Sequence, residues 1–501
     1  VLPHVGVEVV TGSPAAIRAL ATDPRVAGVA PDDRVQLTGH DYKNRGDTQS
    51  AFAWQGLGDK VGKGTAGAGV TVAVLDTGVS DTPALNRASA RLVDGVDVSR
   101  LASGGEARTS GTFTDAYGHG TFMANLIAGG PVDQVASKRT LGVAPGARVV
   151  VVKVSDDRGL TSLSQVLAGM DWVAAQAPKI QVVNIALSHD RPGSAYGADP
   201  LTAAVEHLTQ GGLIVVAASG NTRGEVGDPG LAPQALTVGA ADLTNGDTGD
   251  DRRKNDSESD TRNARVADFS GSANVAGVRK PDLVASGVGL LSVLPRGSVI
   301  SRQHPDALQD NGLYRGSGTS ESTAVTSGAV AVLLSNHPEA RLVDVKPALR
   351  VAADDIEGGR AGGQGLLDLS SALKGLRKYT KSGGNDASGE SALDTAVWNA
   401  NCWQRCSWEG WLARAWAANS WAADGTWAAN SWSSATWGTE SWSANSWAAN
   451  SWAANSWAAN SWAANSWAAN SWAANSWAAN SWAANSWAAS SWADQSWGDD
   501  R

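Results

Sequence analysis

The chain has 501 residues, 42% of them hydrophobic, and its 40 Lys and Arg against 49 Asp and Glu give a formal charge of −9. That length holds two or three domains with a sizeable core and excludes a short disulfide scaffold. The acidic balance, with no basic stripe, argues against a nucleic-acid partner, and apolar runs such as residues 149–152 and 213–218 fall far short of the roughly 20 residues that cross a bilayer.

No charged-then-apolar leader opens the sequence, so any export leader is expected to have been removed or to lie outside this sequence. Residues 1–37 read as strand, helix, strand. Val5, Val7 and Val9 alternate as on a half-buried strand. Ser13-Pro14 then starts a helix with Pro at its first position, and Ala16, Ile17 and Leu20 follow at helical spacing. Residues 26–37 return as extended chain. Such a piece is too short to bury a core of its own.

From about residue 68 to 376 strands and helices alternate. Residues 70–75, 149–154, 182–187, 213–218 and 236–239 are compact runs that predict strands buried on both faces. Between them Leu163, Val166, Leu167, Met170 and Val173, and later Ala203, Val205 and Leu208, recur at helical spacing. The alternation predicts a mainly parallel sheet flanked by helices. Residues 245–265, dense in Asp, Arg, Asn and Ser, read as a solvated loop.

Residues 377–396 are a Lys, Ser, Gly, Asn and Asp-rich linker. Beyond it lies the compositional anomaly: only Trp54 and Trp172 of 23 tryptophans precede Trp398, and Trp recurs every five residues from Trp427 to Trp497. A step of five smears Trp around a helix and alternates it across a strand, so neither gives one apolar stripe. A solenoid with five-residue sides would stack the indoles in a column; low-complexity disorder is the competing reading. Regular indoles suit stacking on sugars or a membrane interface, so cell-wall glycan or cell-surface attachment is expected, against a plain spacer. Cys402 and Cys406 suit a small local disulfide in an exported protein and lack the His pairs of a zinc site.

Four residues carry candidate chemistry. Asp76 ends a buried strand, where open α/β sheets place their sites. His119, in Gly118-His119-Gly120-Thr121, opens a helix that mounts the imidazole rigidly. Asn221 follows the strand of residues 213–218. Ser320, in Gly318-Thr319-Ser320, stands just before a small-residue helix of residues 324–334, whose amino end favours negative charge.

The order Asp, His, Asn, Ser on an α/β chain resembles the subtilases, the subtilisin-like serine peptidases. The resemblance covers about residues 40–376. It rests on Val74-Leu75-Asp76-Thr77-Gly78, Gly118-His119-Gly120-Thr121, Gly142-Val143-Ala144-Pro145-Gly146-Ala147, Ala218-Ser219-Gly220-Asn221, Lys280-Pro281-Asp282-Leu283-Val284-Ala285 and Gly318-Thr319-Ser320. It implies a three-layer α/β domain over residues 38–376 and an exported serine endopeptidase acting on polypeptides. Ser320 is then the nucleophile, His119 the general base and Asp76 its orienting carboxylate. Asn221 and the Ser320 N–H would hold the oxyanion, and Leu187, Ser188, His189, Ala218, Ser219 and Gly220 would line the substrate. No metal or organic cofactor enters this chemistry, and a monomer is expected.

Two departures stand out. The serine stretch continues Glu321-Ser322-Thr323-Ala324 where relatives usually have Met-Ala and then a Pro. Where relatives often have Ser-Leu-Gly-Gly, this chain has Ala186-Leu187-Ser188-His189, and His189 reads most simply as an exposed loop residue. Residues 1–37 resemble the second half of an inhibitory propeptide. Arg34 to Leu37 would then lie in the substrate cleft, with self-cleavage between about Gln36 and Lys43. The competing function is a binding or adhesion protein in which the tail of residues 397–501 works and the peptidase domain is silent.

Overall fold

A computed structural model describes residues 1–381 except 24, 38, 41–64, 102–103, 134–139, 178, 190–198, 244–263 and 276–277, together with residues 451–452 and 455–457. Residues 245–263 of the expected loop, residues 382–396 of the expected linker, the cysteine pair and almost all of the Trp tail lie outside the described residues; Arg265 instead opens a strand, and residues 377–381, expected in the linker, continue a helix.

In chain order the elements are helix α1 (Pro14–Ala21), strands β1 (Arg34–Leu37), β2 (Gly39–His40), β3 (Thr71–Asp76) and β4 (Leu92–Asp97), and helix α2 (His119–Ala128). Next come β5 (Arg148–Lys153), β6 (Thr161–Ser162), α3 (Leu163–Ala174), β7 (Val182–Ile185), β8 (Leu187–Ser188), α4 (Pro200–Gln210), β9 (Ile214–Ala218), β10 (Leu236–Asp242) and β11 (Arg265–Val266). Then follow β12 (Ala273–Val275), β13 (Val278–Lys280), β14 (Leu283–Ser286), β15 (Leu290–Ser292), α5 (Val299–Gln303), β16 (Tyr314–Gly318), α6 (Thr319–Asn336), α7 (Leu342–Ala352) and α8 (Leu369–Lys381). Two strand fragments, β17 (Ser451–Trp452) and β18 (Asn455–Trp457), pair in parallel.

The chain divides into two compact units. The smaller takes in Gly12–Asp33. There α1 begins as its sequence predicts, with Ser13 capping the Ala16 N–H at 3.3 Å and Pro14 in the first turn.

The larger unit is built on an eight-stranded sheet of order β11-β10-β9-β7-β3-β5-β4, with β14 also on β10. Every pairing is parallel except that of β10 with β11. Runs such as Thr71-Val72-Ala73-Val74-Leu75 are buried on both faces because helices cover both. Val72, Val74, Val149, Val151, Val216 and Val238 pack against Phe122 to Ala128 of α2 and the Ala324 to Leu334 run of α6. On the other face Leu75 and Val152 reach Gly169 of α3. Each fully buried Val or Leu contributes about 1.5–3 kcal/mol, so this core is the main source of stability.

The strands predicted between residues 68 and 376 all form, displaced by one to three residues at their ends, and the run at 182–187 breaks at Ala186 into β7 and β8. The run from Val5 to Val9 forms no strand; Leu2 and Val7 instead close a tight hairpin. Asp171 of α3 accepts from the His4 and Val5 N–H groups at 2.6 and 3.2 Å. Among the described residues no helix is long and apolar enough to cross a membrane.

β3 is the strand from which the order departs in both directions, toward β5 and toward β7. Its carboxyl end therefore opens a crevice where a parallel sheet places ligands. Asp76 is the last residue of β3.

Candidate active site

His119 is the first residue of α2, so its ring is fixed by a helix whose ten residues are all buried. Its Nδ1 lies 2.8 and 2.9 Å from the two carboxylate oxygens of Asp76. Gly120 makes this approach possible: a β-carbon there would stand 2.2 Å from the Gly78 carbonyl oxygen and 3.0 Å from the Asp76 β-carbon. Burial works against a charged imidazole, but the Asp76 carboxylate outweighs it and holds His119 above the usual histidine range.

The carboxylate is held in turn. The Thr77 N–H donates to Asp76 Oδ1 at 2.8 Å. The Thr77 hydroxyl donates to Asp115 at 2.8 Å and accepts from the Gly120 N–H at 3.0 Å. Asp115 also receives the N–H groups of Gly118 and Thr121, at 2.7 and 2.8 Å, and the Thr121 hydroxyl at 2.8 Å. This buried carboxylate thus ties the turn after β3 to the first turn of α2, and its burial raises its pKa despite four donors. Lys153, at the end of β5, donates to the carbonyls of Thr77 and Thr114 at 2.8 and 3.0 Å. Sequence reasoning missed Asp115 and Lys153. A carboxylate four residues before a helix-initial histidine was the available signal for the first.

Ser320 lies inside the first turn of α6, which begins at Thr319 and not, as expected, near residue 324. The reason is a cap from elsewhere in the chain: Asn221 Oδ1 accepts from the Thr319 N–H and hydroxyl at 3.0 and 2.9 Å. With Oδ1 so engaged, the amide nitrogen is the end of Asn221 turned away from Thr319. The Ser320 hydroxyl donates to the Ala186 carbonyl at 3.1 Å. His119 Nε2, buried, meets no hydrogen-bond partner. The structure therefore joins Asp76 to His119 directly and Asn221 to the helix turn that carries Ser320.

Leu187 and Ser188 form β8 and are buried, as are Ala218, Ser219 and Gly220 at the end of β9. His189, read as exposed, is buried at 4% exposure, because its N–H and carbonyl bond Asp228 at 2.8 and 3.1 Å and draw the loop inward. β1 lies across β6 and β8 in antiparallel register, Arg34 opposite Ser162, Val35 opposite Thr161, Gln36 opposite Ser188 and Leu37 opposite Leu187. Val35 is buried while Arg34 and Gln36 are exposed, the period of two a strand demands. Just beyond, Gly39 and His40 pair with Gly318 and Ser317 of β16, next to the helix turn that carries Ser320.

The fold is an α/β subtilisin-like architecture, a mainly parallel sheet flanked by helices. The chain belongs to the subtilase family, whose model matches residues 67–405. It is 31% identical over 314 residues to Subtilisin Savinase of Lederbergia lenta, covering 62% of this chain and 93% of that protein. It is 29% identical to Alkaline elastase YaB of Bacillus sp. (strain YaB) over 374 residues, 74% of this chain and 80% of that one. Serine protease AprX of Bacillus subtilis (strain 168) is 29% identical over 306 residues, 58% of this chain, which spans 63% of AprX. Among solved structures, fervidolysin of Fervidobacterium pennivorans, a keratinolytic enzyme related to subtilisin, matches with a TM-score of 0.49 and 24% identity over 69% of this chain and 51% of that one.

Proposed function

We propose that the chain is a secreted serine endopeptidase in which Ser320, His119 and Asp76 cleave peptide bonds through an acyl-enzyme. The observation that carries this reading is a buried imidazole held through Nδ1 by both oxygens of Asp76, with Nε2 left without a partner. Asp76 thereby selects the tautomer that presents a basic Nε2. This reading requires the serine side chain to leave the Ala186 carbonyl and offer its hydroxyl to that nitrogen. Ser320 Oγ then attacks the scissile carbonyl as its proton passes to Nε2, and the imidazolium returns that proton to the leaving amine. Water repeats the sequence on the ester and frees Ser320. The Asn221 amide and the Ser320 N–H, at the amino end of α6, hold the oxyanion. Leu187, Ser188 and His189 on one side, with Ala218, Ser219 and Gly220 on the other, line the substrate strand.

The same reading makes residues 1–37 an inhibitory segment. β1 adds to the edges of β6 and β8 as an extended substrate would, through main-chain bonds and one buried side chain, Val35. Gly39 already lies on β16, so self-cleavage falls at one of the two peptide bonds made by Thr38. An endopeptidase carrying its own blocking strand suits synthesis in one compartment and action outside the cell. Labelling by a serine-directed phosphonate, followed by amino-terminal sequencing of the labelled chain, tests this. A mature chain beginning at Thr38 or Gly39 is expected, with neither label nor cut in Ser320→Ala. A labelled chain still beginning at Val1 would refute the inhibitory segment, and equal label on Ser320→Ala would refute the site.

A further inference from the structure

Glu321 has no part in that scheme, yet it follows the nucleophile directly and is buried at 4% exposure. Its Oε2 meets no hydrogen-bond partner, and neither does His119 Nε2. Its Oε1 lies against Gly316 of β16, 2.6 Å from where a β-carbon would stand, and the Phe122 ring crowds the same point at 2.8 Å. Phe122 is three residues beyond His119 on α2, hence on the same helix face. The carboxyl of Glu321 thus reaches from α6 toward the face of α2 that carries the imidazole. The titratable groups acting there are His119 from α2 and Asp76 from β3, with Asp115 and Tyr117 from the loop before α2. β16 contributes Gly316 at this point, while its Arg315 bonds Gln309.

Resting on the peptidase reading, we propose that Glu321 is a positioning residue acting through His119: a second carboxyl beside the imidazole, so that the base and Glu321 release their protons as a coupled pair. Burial pushes the Glu321 carboxyl up to about 7, against the pull of His119, and the imidazole it faces is itself held above the usual histidine range. Neutral Glu321 leaves His119 to Asp76 and, more weakly, Asp115. Ionised Glu321 adds a second negative charge that favours the imidazolium, both in the free enzyme and when Ser320 gives up its proton. The acid limb of kcat/KM is therefore displaced upward and spread over more than a one-proton titration.

The test is the pH profile of kcat/KM for wild type, Glu321→Gln and Glu321→Asp, each normalised to the fraction that takes a phosphonate label. Glu321→Gln is expected to move the acid limb down by about half a pH unit to one unit and narrow it to one proton. Glu321→Asp is expected to keep the broad limb. Glu321→Met removes the charge without burying an amide and must match the Gln profile, which covers the case in which the Gln variant does not fold. An active neutral variant with the wild-type midpoint and breadth overturns the proposal. A wild-type chain that neither takes label nor cleaves peptide overturns the peptidase reading instead.

Discussion

Asp76 and Asp282 are both buried carboxylates in contact with buried nitrogen bases, at opposite edges of one sheet. Asp282 precedes β14, at the amino edge. Its Oδ2 receives Lys280 Nζ at 3.1 Å and the Thr237 N–H at 2.9 Å, and Lys346 Nζ stands 3.1 Å from Oδ1. Both lysines also donate to the Ala235 carbonyl at 3.0 Å. Burial opposes the Asp282 charge, but the neighbouring lysines dominate and hold its carboxyl below the usual range. At the carboxyl edge Asp76 is equally well held, yet the group it holds keeps one nitrogen without a partner, and so does the carboxyl of Glu321. With the carboxylate and both ammonium groups bonded, the first cluster is a brace. Incomplete pairing makes the second a place where protons can move.

The largest test of this contrast exchanges one group at each edge. Ser320→Ala is expected to lower kcat by roughly 10⁶-fold, the scale seen when the nucleophile of such a site is removed, with thermal unfolding nearly unchanged. Asp282→Asn strands two buried ammonium groups and is expected to destabilise the fold by about 3–5 kcal/mol. Its turnover per folded molecule should survive. A turnover loss in Asp282→Asn comparable with that of Ser320→Ala, measured on active-site-titrated protein, would break the distinction.

A smaller effect sharpens it. Asn221→Ala is expected to lower kcat by about 10²–10³. Because Asn221 Oδ1 also caps the Thr319 N–H, unfolding should shift as well, by about 1 kcal/mol. Loss of stability without loss of kcat would reduce Asn221 to a cap and remove it from the oxyanion site.

The strands of the sheet and the residues at their ends were more legible in the sequence than the contacts that hold either edge. Strands such as β3 and β5 announce themselves because residues buried on both faces must be apolar and β-branched side chains fit a pleated sheet. Asp76, His119 and Ser320 stand out because glycines flank them at element ends. What escaped was set by distant partners. The start of α6 depends on Asn221, 98 residues away in the chain. Asp115 matters through donors on Thr77, Gly118 and Thr121, none of which marks an acidic residue in advance. His189 is drawn inward by Asp228. The pairing of Gly39 and His40 with β16 depends on where the chain returns after residue 37, a long-range register that local periodicity does not encode.

The last test uses pH, because the two edges respond to it with opposite sign. Glu321 ionises near 4.5 when unfolded and near about 7 when folded, so the unfolded chain loses its proton first and the folded state becomes relatively less stable as pH rises between those values. Replacing it by Met removes that penalty. Glu321→Met is expected to gain stability above pH 7, on the order of 3 kcal/mol at most, with the gain vanishing near pH 4. Asp282 runs the other way. Its folded pKa lies below the unfolded one, so its contribution is present above the unfolded value and is lost as pH falls through the folded one. The penalty of Asp282→Asn should therefore shrink only below the unfolded value, at more acid pH than the window in which the benefit of Glu321→Met disappears. Urea unfolding of both variants across pH measures this directly. A Glu321→Met gain that persists unchanged into acid would mean that the wild-type side chain is merely badly packed, and that no buried charge distinguishes this edge of the sheet from the other.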